Sequence, residues 1–491
     1  MRDLPPGWAE ASVEDLAATF GVTDGPFGSN LKTEHYTSSG PRVIRLQNIG
    51  GGSFRDERAH ISLDHFERLQ KHMVEAGDVL VAALGEVLPR ACLAPSSLGK
   101  AIVKADCIRI RPGGAVTGTW LMWALNSAGV RDRVADAVKG VGRPRINLGD
   151  LRSLGIPVAP RSEQERIVTA IEEAFSKLDA GEAALRATRQ RLKRLRESVL
   201  AAAVTGSLVP QDPTDEPASK LLANLGAAPC DTGGLPELPH SWDWARLGAL
   251  GDVVGGVTKD AKRQDDADFV EVPYLRVANV QRGFLDLGTV ATIRVSPAAA
   301  QKLALIDGDV LFNEGGDRDK LGRGWVWEGQ VPGCIHQNHV FRSRLAGGMQ
   351  PKLVSWWGNT FGKGWFEAHG KQTTNLASLN MKTLKTFPIP VAPTNEQERI
   401  VAAVEYRFSF IDACERTVDA GLVRSAAMRR SILKAAFEGR LVPQDPSDEP
   451  ASVLLDRIRA DRDTVGKVPK LQRKQKPRAL APIAGPVTGR G

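Results

Sequence analysis

The chain has 491 residues, of which 42% are hydrophobic and 25% charged, and a formal net charge of +8 at pH 7. That is too long for one hydrophobic core, and no stretch approaches the roughly 18 uninterrupted apolar residues of a membrane span. Five scattered cysteines without a C-x-x-C pair speak against a disulfide framework or a zinc site. The opening residues lack a secretory pattern, giving the expectation of a cytoplasmic protein, and the basic balance is a mild nucleic-acid signal.

Residues 1–160 form a first front. It opens LPPGW at Leu4 and carries the β-patterned runs RVIRL, VLVAAL, AIVKA and CIRIR, followed by a helical patch from Trp120 to Val138. Turn residues punctuate short strands, which reads as an α+β domain with a curved or barrel-like sheet. Its polar, glycine-rich loops mix Lys and Arg with Asn and Gln. Those side chains suit phosphates and base edges respectively, with Arg bidentate on guanine and Asn or Gln on adenine. Lys32, Arg45, Gln47, Asn48, Lys139, Arg143 and Arg145 are the candidates here.

A long helix follows over 161–208. Ser162 is read as its N-cap, Glu-Gln-Glu as its first turn and Gly206 as its C-cap, with no proline between. About 43 residues at 1.5 Å each span roughly 65 Å. Ile171, Leu178, Leu185, Leu192 and Val199 recur every seven residues, and a second line runs three residues on from them. Arg186, Arg189, Arg191, Lys193, Arg194 and Arg196 decorate this helix. They fit a solvated face, a partner surface or phosphate contact.

Residues 209–237 are a Pro/Gly/Asp-rich connector. A second front over 238–393 opens LPHSW and places its basic and amide side chains in loops again: Arg276, Asn279, Arg318, Lys320, Arg323, Lys363, Lys371 and Gln372. A second long helix over 394–441, with Asn395 as N-cap and Gly439 as C-cap, carries Val404, Ile411, Val418, Met428 and Ile432 on its coiled-coil lines. Residues 442–460 close the repeat, and a basic, proline-rich tail over 461–491 is expected to be disordered.

The two halves repeat each other. IPVAPRSEQERIV from Ile156 returns as IPVAPTNEQERIV from Ile389, an offset of 233 that holds without a gap to LVPQDPTDEPASKLL and LVPQDPSDEPASVLL. Over that stretch 39 of 67 positions are identical, whereas the fronts match loosely, as in VIRLQNI against YLRVANV and GDVLV against GDVLF. Two like helices in one chain most naturally run antiparallel, giving a pseudo-twofold tandem repeat. The backs then do one job twice and the fronts do related but different jobs. No P-loop, no Asn/Asp-Pro-Pro-Tyr tetrapeptide and no H-E-x-x-H is present. A stand-alone nuclease or methyltransferase with an unrecognised site, or a pure protein scaffold, stays open on residues alone.

Two variable fronts that each open LPxxW, each followed by IPxAPxxEQExI and a helix ending GxLVPQDPxDEPAS, resemble the type I restriction–modification specificity subunit. The resemblance implies a fold of two mixed α/β target recognition domains separated by two long antiparallel coiled-coil helices. It implies a non-catalytic chain that reads double-stranded DNA as a bipartite site. Two methyltransferase (M) subunits would dock on the helices, and restriction/translocase (R) subunits would join through them. S-adenosylmethionine, ATP and Mg are implied in those partners, and neither cofactor nor metal in this chain.

Overall fold

The computed structural model describes residues 4–137, 144–228, 230, 233–260, 264, 266–316, 320–372 and 377–465. The chain divides into two compact units, residues 1–183 with 422–491, and residues 184–421. Each unit therefore holds one front together with a segment of both long helices. No described helix is long and apolar enough to cross a membrane.

In the first unit, Val79–Ala82 is buried at every position, so it forms the interior of an antiparallel sheet rather than an alternating surface strand. The order is Ala17–Asp24, Cys107–Pro112, Val79–Ala82 and Arg90–Leu93. A second sheet orders His60–Ile61, Tyr36–Ile44, Ala101–Val103 and Met73–Val74, with its central pair parallel. The front thus holds two four-stranded sheets in place of the single curved or barrel-like sheet expected. A fully buried central strand needs apolar cover on both faces, and short strands broken by turns supply it as separate layers.

The second unit repeats this plan. Gly251–Val254, Val340–Leu345, Val310–Asn313 and Gly324–Val326 form the antiparallel sheet. Ala291–Val295, Val270–Leu275 and Ile335–His336 form the other, again with one parallel pair. In both fronts a Gly-Asp-Val turn buries a carboxylate. Asp78 takes two bonds of 3.0 Å from Arg111, and Asp309 takes two of 2.8 Å from Arg344. The preceding Gly77 and Gly308 both have φ of +85°, which a side chain would disfavour.

Each front is tied to its helix by a two-stranded ribbon, Ala9–Ser12 with Gly155–Val158 in one unit and Asp243–Arg246 with Pro388–Val391 in the other. The helices then run Arg161–Val204 and Thr394–Phe437, 44 residues each. Gly206 and Gly439 follow them at φ +73° and +66°, as C-caps require. Ser162 and Asn395 are not N-caps, because helical geometry already begins one residue earlier. Their side chains bond outward instead, Ser162 to Asp448 and Asn395 to Asp215.

The Glu-Gln-Glu turn is a buried clamp. Glu163 accepts from Trp8 Nε1 (3.1 Å), and Gln164 donates to the carbonyls of Ala115 and Ala159. Arg166 Nη2 reaches Asp448 at 2.7 Å. In the second unit Glu396 accepts from Gln211 (2.5 Å), Gln397 donates to the carbonyls of Gly348 and Ala392, and Arg399 reaches Asp215 at 2.6 Å. The partner carboxylates belong to the two PQDPxDE segments. Residues 209–237 are accordingly not merely a connector: Ala218–Asn224 is a helix with Ala218 and Leu222 buried. Ala451–Val465 is the matching helix of the first unit, and it runs through Asp461, where the tail was expected to begin. Residues 466–491 lie outside the described residues.

Within each unit the helix segments pair antiparallel. Ile171 and Phe175 share a core with Leu433 and Ala436 in the first, flanked by half-buried Leu178 and Ile432. In the second, Leu192, Val199, Val404, Ile411 and Val418 are buried, and Leu185 lies beside Gly421. Met428 is 47% exposed, against expectation. The second contact line lies four residues beyond the first, not three, so it passes through Phe175, Glu182, Arg196, Phe408 and Arg429. Arg189 and Arg196 of the basic stretch are spent on Asp419 and Asp412. Arg191, Lys193 and Arg194 are exposed and have no ion-pair partner among the described residues.

Bonding to Arg166 and Ser162 holds the Asp448 carboxyl below its ordinary pKa, and bonding to Arg399 does the same for Asp215. A depressed folded pKa stabilises above the unfolded value and is lost as pH falls through the folded one. Burial raises the Glu163 carboxyl, so its contribution has the opposite sign. Asp448→Asn and Asp215→Asn should each lower the melting temperature at pH 7. That deficit should close in strong acid; a deficit independent of pH in thermal scans would contradict the assignment.

Candidate nucleic-acid interface

Some of the basic and amide side chains stand where parallel strands end. Arg45 follows the strand Tyr36–Ile44, and Lys104 follows its parallel neighbour Ala101–Val103, with Lys104 N bonded to the Ile44 carbonyl at 2.8 Å. Parallel strands end side by side, so these two cations leave the sheet together. Arg45 is half-buried; with the Gln47 amide oriented by hydrogen bonding, its guanidinium donates to that exposed side chain at 3.1 Å. Arg145 is exposed; it pairs with Asp106 (2.9 Å) and stands over the Phe27 ring at 5.5 Å. Lys32 is exposed on the loop after Phe27, loosely paired with Glu34 at 3.6 Å. Lys139 and Arg143 lie outside the described residues.

The second unit places Arg276 after Leu275 and Gln337 after His336 in the same way, with Gln337 N on the Leu275 carbonyl at 2.9 Å. Arg323 donates to the Val277 carbonyl at 3.2 Å. A small sheet brings two further segments of this front together, with Ala377–Ser378 between Gly315–Gly316 and Lys371–Gln372. Lys371 is exposed on it, and Lys320 is half-buried on the incoming loop. Lys363 is exposed on the helix Gly362–His369, 3.9 Å from Glu367. Arg318 and the Gln372 side chain lie outside the described residues.

Two candidates are structural. Asn48 is fully buried, its amide donating to the carbonyls of Arg55 (2.8 Å) and Glu57 (2.7 Å) and accepting from Arg45 N. Asn279 repeats the arrangement with Asp286, Thr289 and Arg276 N. Each amide is consumed in closing a turn, leaving nothing for a base edge. Lys104 and Gln337 were missed because each directly follows a short strand; only the parallel pairing places them beside Arg45 and Arg276.

No family model matches this chain. It is 25% identical to the type I restriction enzyme StySPI specificity subunit of Salmonella potsdam, over 94% of this chain and 97% of that protein. It is 23% identical to the EcoKI specificity subunit of Escherichia coli K12, with the same coverages. Over nearly its whole length the chain is thus similar to specificity subunits of type I restriction enzymes.

The fold agrees. A chain solved in work on complex assembly and conformational transition of the type I R-M system aligns with a TM-score of 0.65 at 18% identity, covering 90% of this chain and all of that one. The HsdS subunit of Thermoanaerobacter tengcongensis aligns at 0.53 and 17%, covering 89% and 98%. At such identities the likeness bears on fold alone, and the side chains at the strand ends are this chain's own.

Asn48→Ala should strand the partners of a buried amide and cost the first unit roughly 1–3 kcal/mol. Lys371→Ala, at an exposed site, should stay within about 0.5 kcal/mol of the native chain. Denaturant unfolding of the whole subunit measures both, and equal effects would refute the structural role of Asn48.

Proposed function

We propose that each front of this specificity subunit reads one half of a bipartite, non-palindromic site in double-stranded DNA, while the long helices set the distance between the halves. One observation carries this reading. Two units of one topology share long helices of equal length at one repeat offset and differ where polar loops leave the sheet ends. Cations and amides there suit phosphate positioning and base-edge contact, and two readers joined in one chain bind as a bivalent ligand.

In this reading the repeated backs offer two like surfaces to two methyltransferase subunits, since a tandem repeat presents the same patch twice. Those subunits bind S-adenosylmethionine and flip the target adenine, as chemistry on a stacked base demands. Restriction/translocase subunits join through them and use ATP and Mg. The chemistry resides in the partners, this chain supplies the address, and the complex acts in the cytoplasm.

The complex of this chain with its methyltransferase should bind and methylate one split sequence. Failure of that complex to select any bipartite site would sink the reading. Seven residues inserted in each helix, after Ala183 and after Gly421, keep the heptad and add roughly 10 Å. The readable spacer should then lengthen by about three base pairs; methylome sequencing that returned the native spacer would refute the ruler.

A further inference from the structure

Each front meets the helices at a second place, remote from the clamp. In the first unit Trp123, on the front helix Gly118–Asn126, meets Phe175 of the helix Arg161–Val204 edge to face, with centroids 5.0 Å apart. Arg429, from the helix Thr394–Phe437, stands over the same ring at 5.0 Å. Its guanidinium is fixed by Asp179 (2.6 Å) and Glu182 (3.3 Å). Gly52 closes the other side of Trp123: a Cβ there would fall 2.5 Å from the indole.

The second unit holds the same ladder with the helices exchanged. Trp356, on Pro351–Asn359, meets Phe408 of the helix Thr394–Phe437 with centroids 6.4 Å apart. Arg196, from the helix Arg161–Val204, stands over Phe408 at 4.6 Å and is held by Asp412 and by Glu415 (3.2 Å). Trp123, Phe175, Asp179, Glu182 and Arg196 become Trp356, Phe408, Asp412, Glu415 and Arg429 at the repeat offset, with every identity kept. The nearby pair Arg189–Asp419 is not kept, its counterparts being Leu422 and Arg186. The retention is selective, and it includes a tryptophan in the otherwise divergent front.

A body held at one end of a helix can pivot there. Phe175 lies fifteen residues beyond Pro160, roughly 22 Å along the axis, so the ladder is a second anchor that removes the pivot. A tilt of about nine degrees moves a point at that distance from the pivot by roughly 3.4 Å, one base-pair step. We infer that Arg429 and Arg196 are positioning residues for specificity, each fixing the angle of the front that belongs to the other repeat. Arg429 sets the first front and Arg196 the second. This rests on the reading of the fronts as half-site readers.

The test uses the full chain with its methyltransferase partner, as the native, Arg196→Gln and Arg429→Gln forms. DNA duplexes carry the methylated site at its native spacer or one base pair shorter or longer. Loss of a cation–π contact and its ion pair should narrow the discrimination between spacers by about tenfold. Base substitutions should be tolerated better in one half-site for Arg196→Gln and in the other for Arg429→Gln. Arg429→Lys, which keeps charge without the planar guanidinium, should restore only part of the discrimination. A uniform fall in affinity, unchanged discrimination, or softening of the same half-site by both variants overturns the assignment. A native complex indifferent to spacer removes the half-site reading itself, and this inference with it.

Discussion

The structure depends on how the first turn of each long helix is gripped. A helix N-terminus leaves backbone donors unpaired and tolerates buried carboxylates well. Here Glu163 and Glu396 are both nearly inaccessible. Trp8 donates to Glu163, and Trp242 lies beside Glu396. The Arg one turn on is tied to an aspartate that comes from the tail of the other repeat, Arg166 to Asp448 and Arg399 to Asp215. Removing one side chain of such a group leaves its partner's polar atoms without their bonds. The opening tryptophan, the helix start and the PQDPxDE segment therefore stand or fall together. This explains why they are the most alike parts of the two halves.

Much of this was legible in the sequence, for a physical reason. A 233-residue offset held without a gap reveals helices, because helices tolerate no insertions while keeping one seam. Gly206 and Gly439 marked the ends correctly because only a left-handed residue closes a helix so. What the sequence hid was long-range. Asn48 and Asn279 look like base readers in polar turns, yet they are buried because each closes its own turn with two carbonyls. Met428 fits a heptad three residues off the seam, but the partner segment approaches on the four-residue side, where Arg429 lies instead. Lys104 and Gln337 become visible only when parallel strand pairing sets their strand ends beside Arg45 and Arg276.

The contrast between shared backs and divergent fronts follows from different constraints. The backs must satisfy buried carboxylates, a tight interhelical seam and the cross-helix arginines at once, so few substitutions fit. Loops at sheet ends satisfy water and can change without disturbing the buried Asp78–Arg111 and Asp309–Arg344 pairs beneath them. In the proposed reading this separation lets the address be rewritten while the scaffold stays the same.

The most direct measurement is a chain in which the second front replaces the first, residues 238–392 standing for 4–159, expressed with its methyltransferase. Because the ribbon and clamp are common to both units, such a chain should fold and bind. Methylome sequencing should then find a site built from one half-site occurring twice, at the native spacing. A folded complex that went on methylating the original asymmetric site would contradict the account.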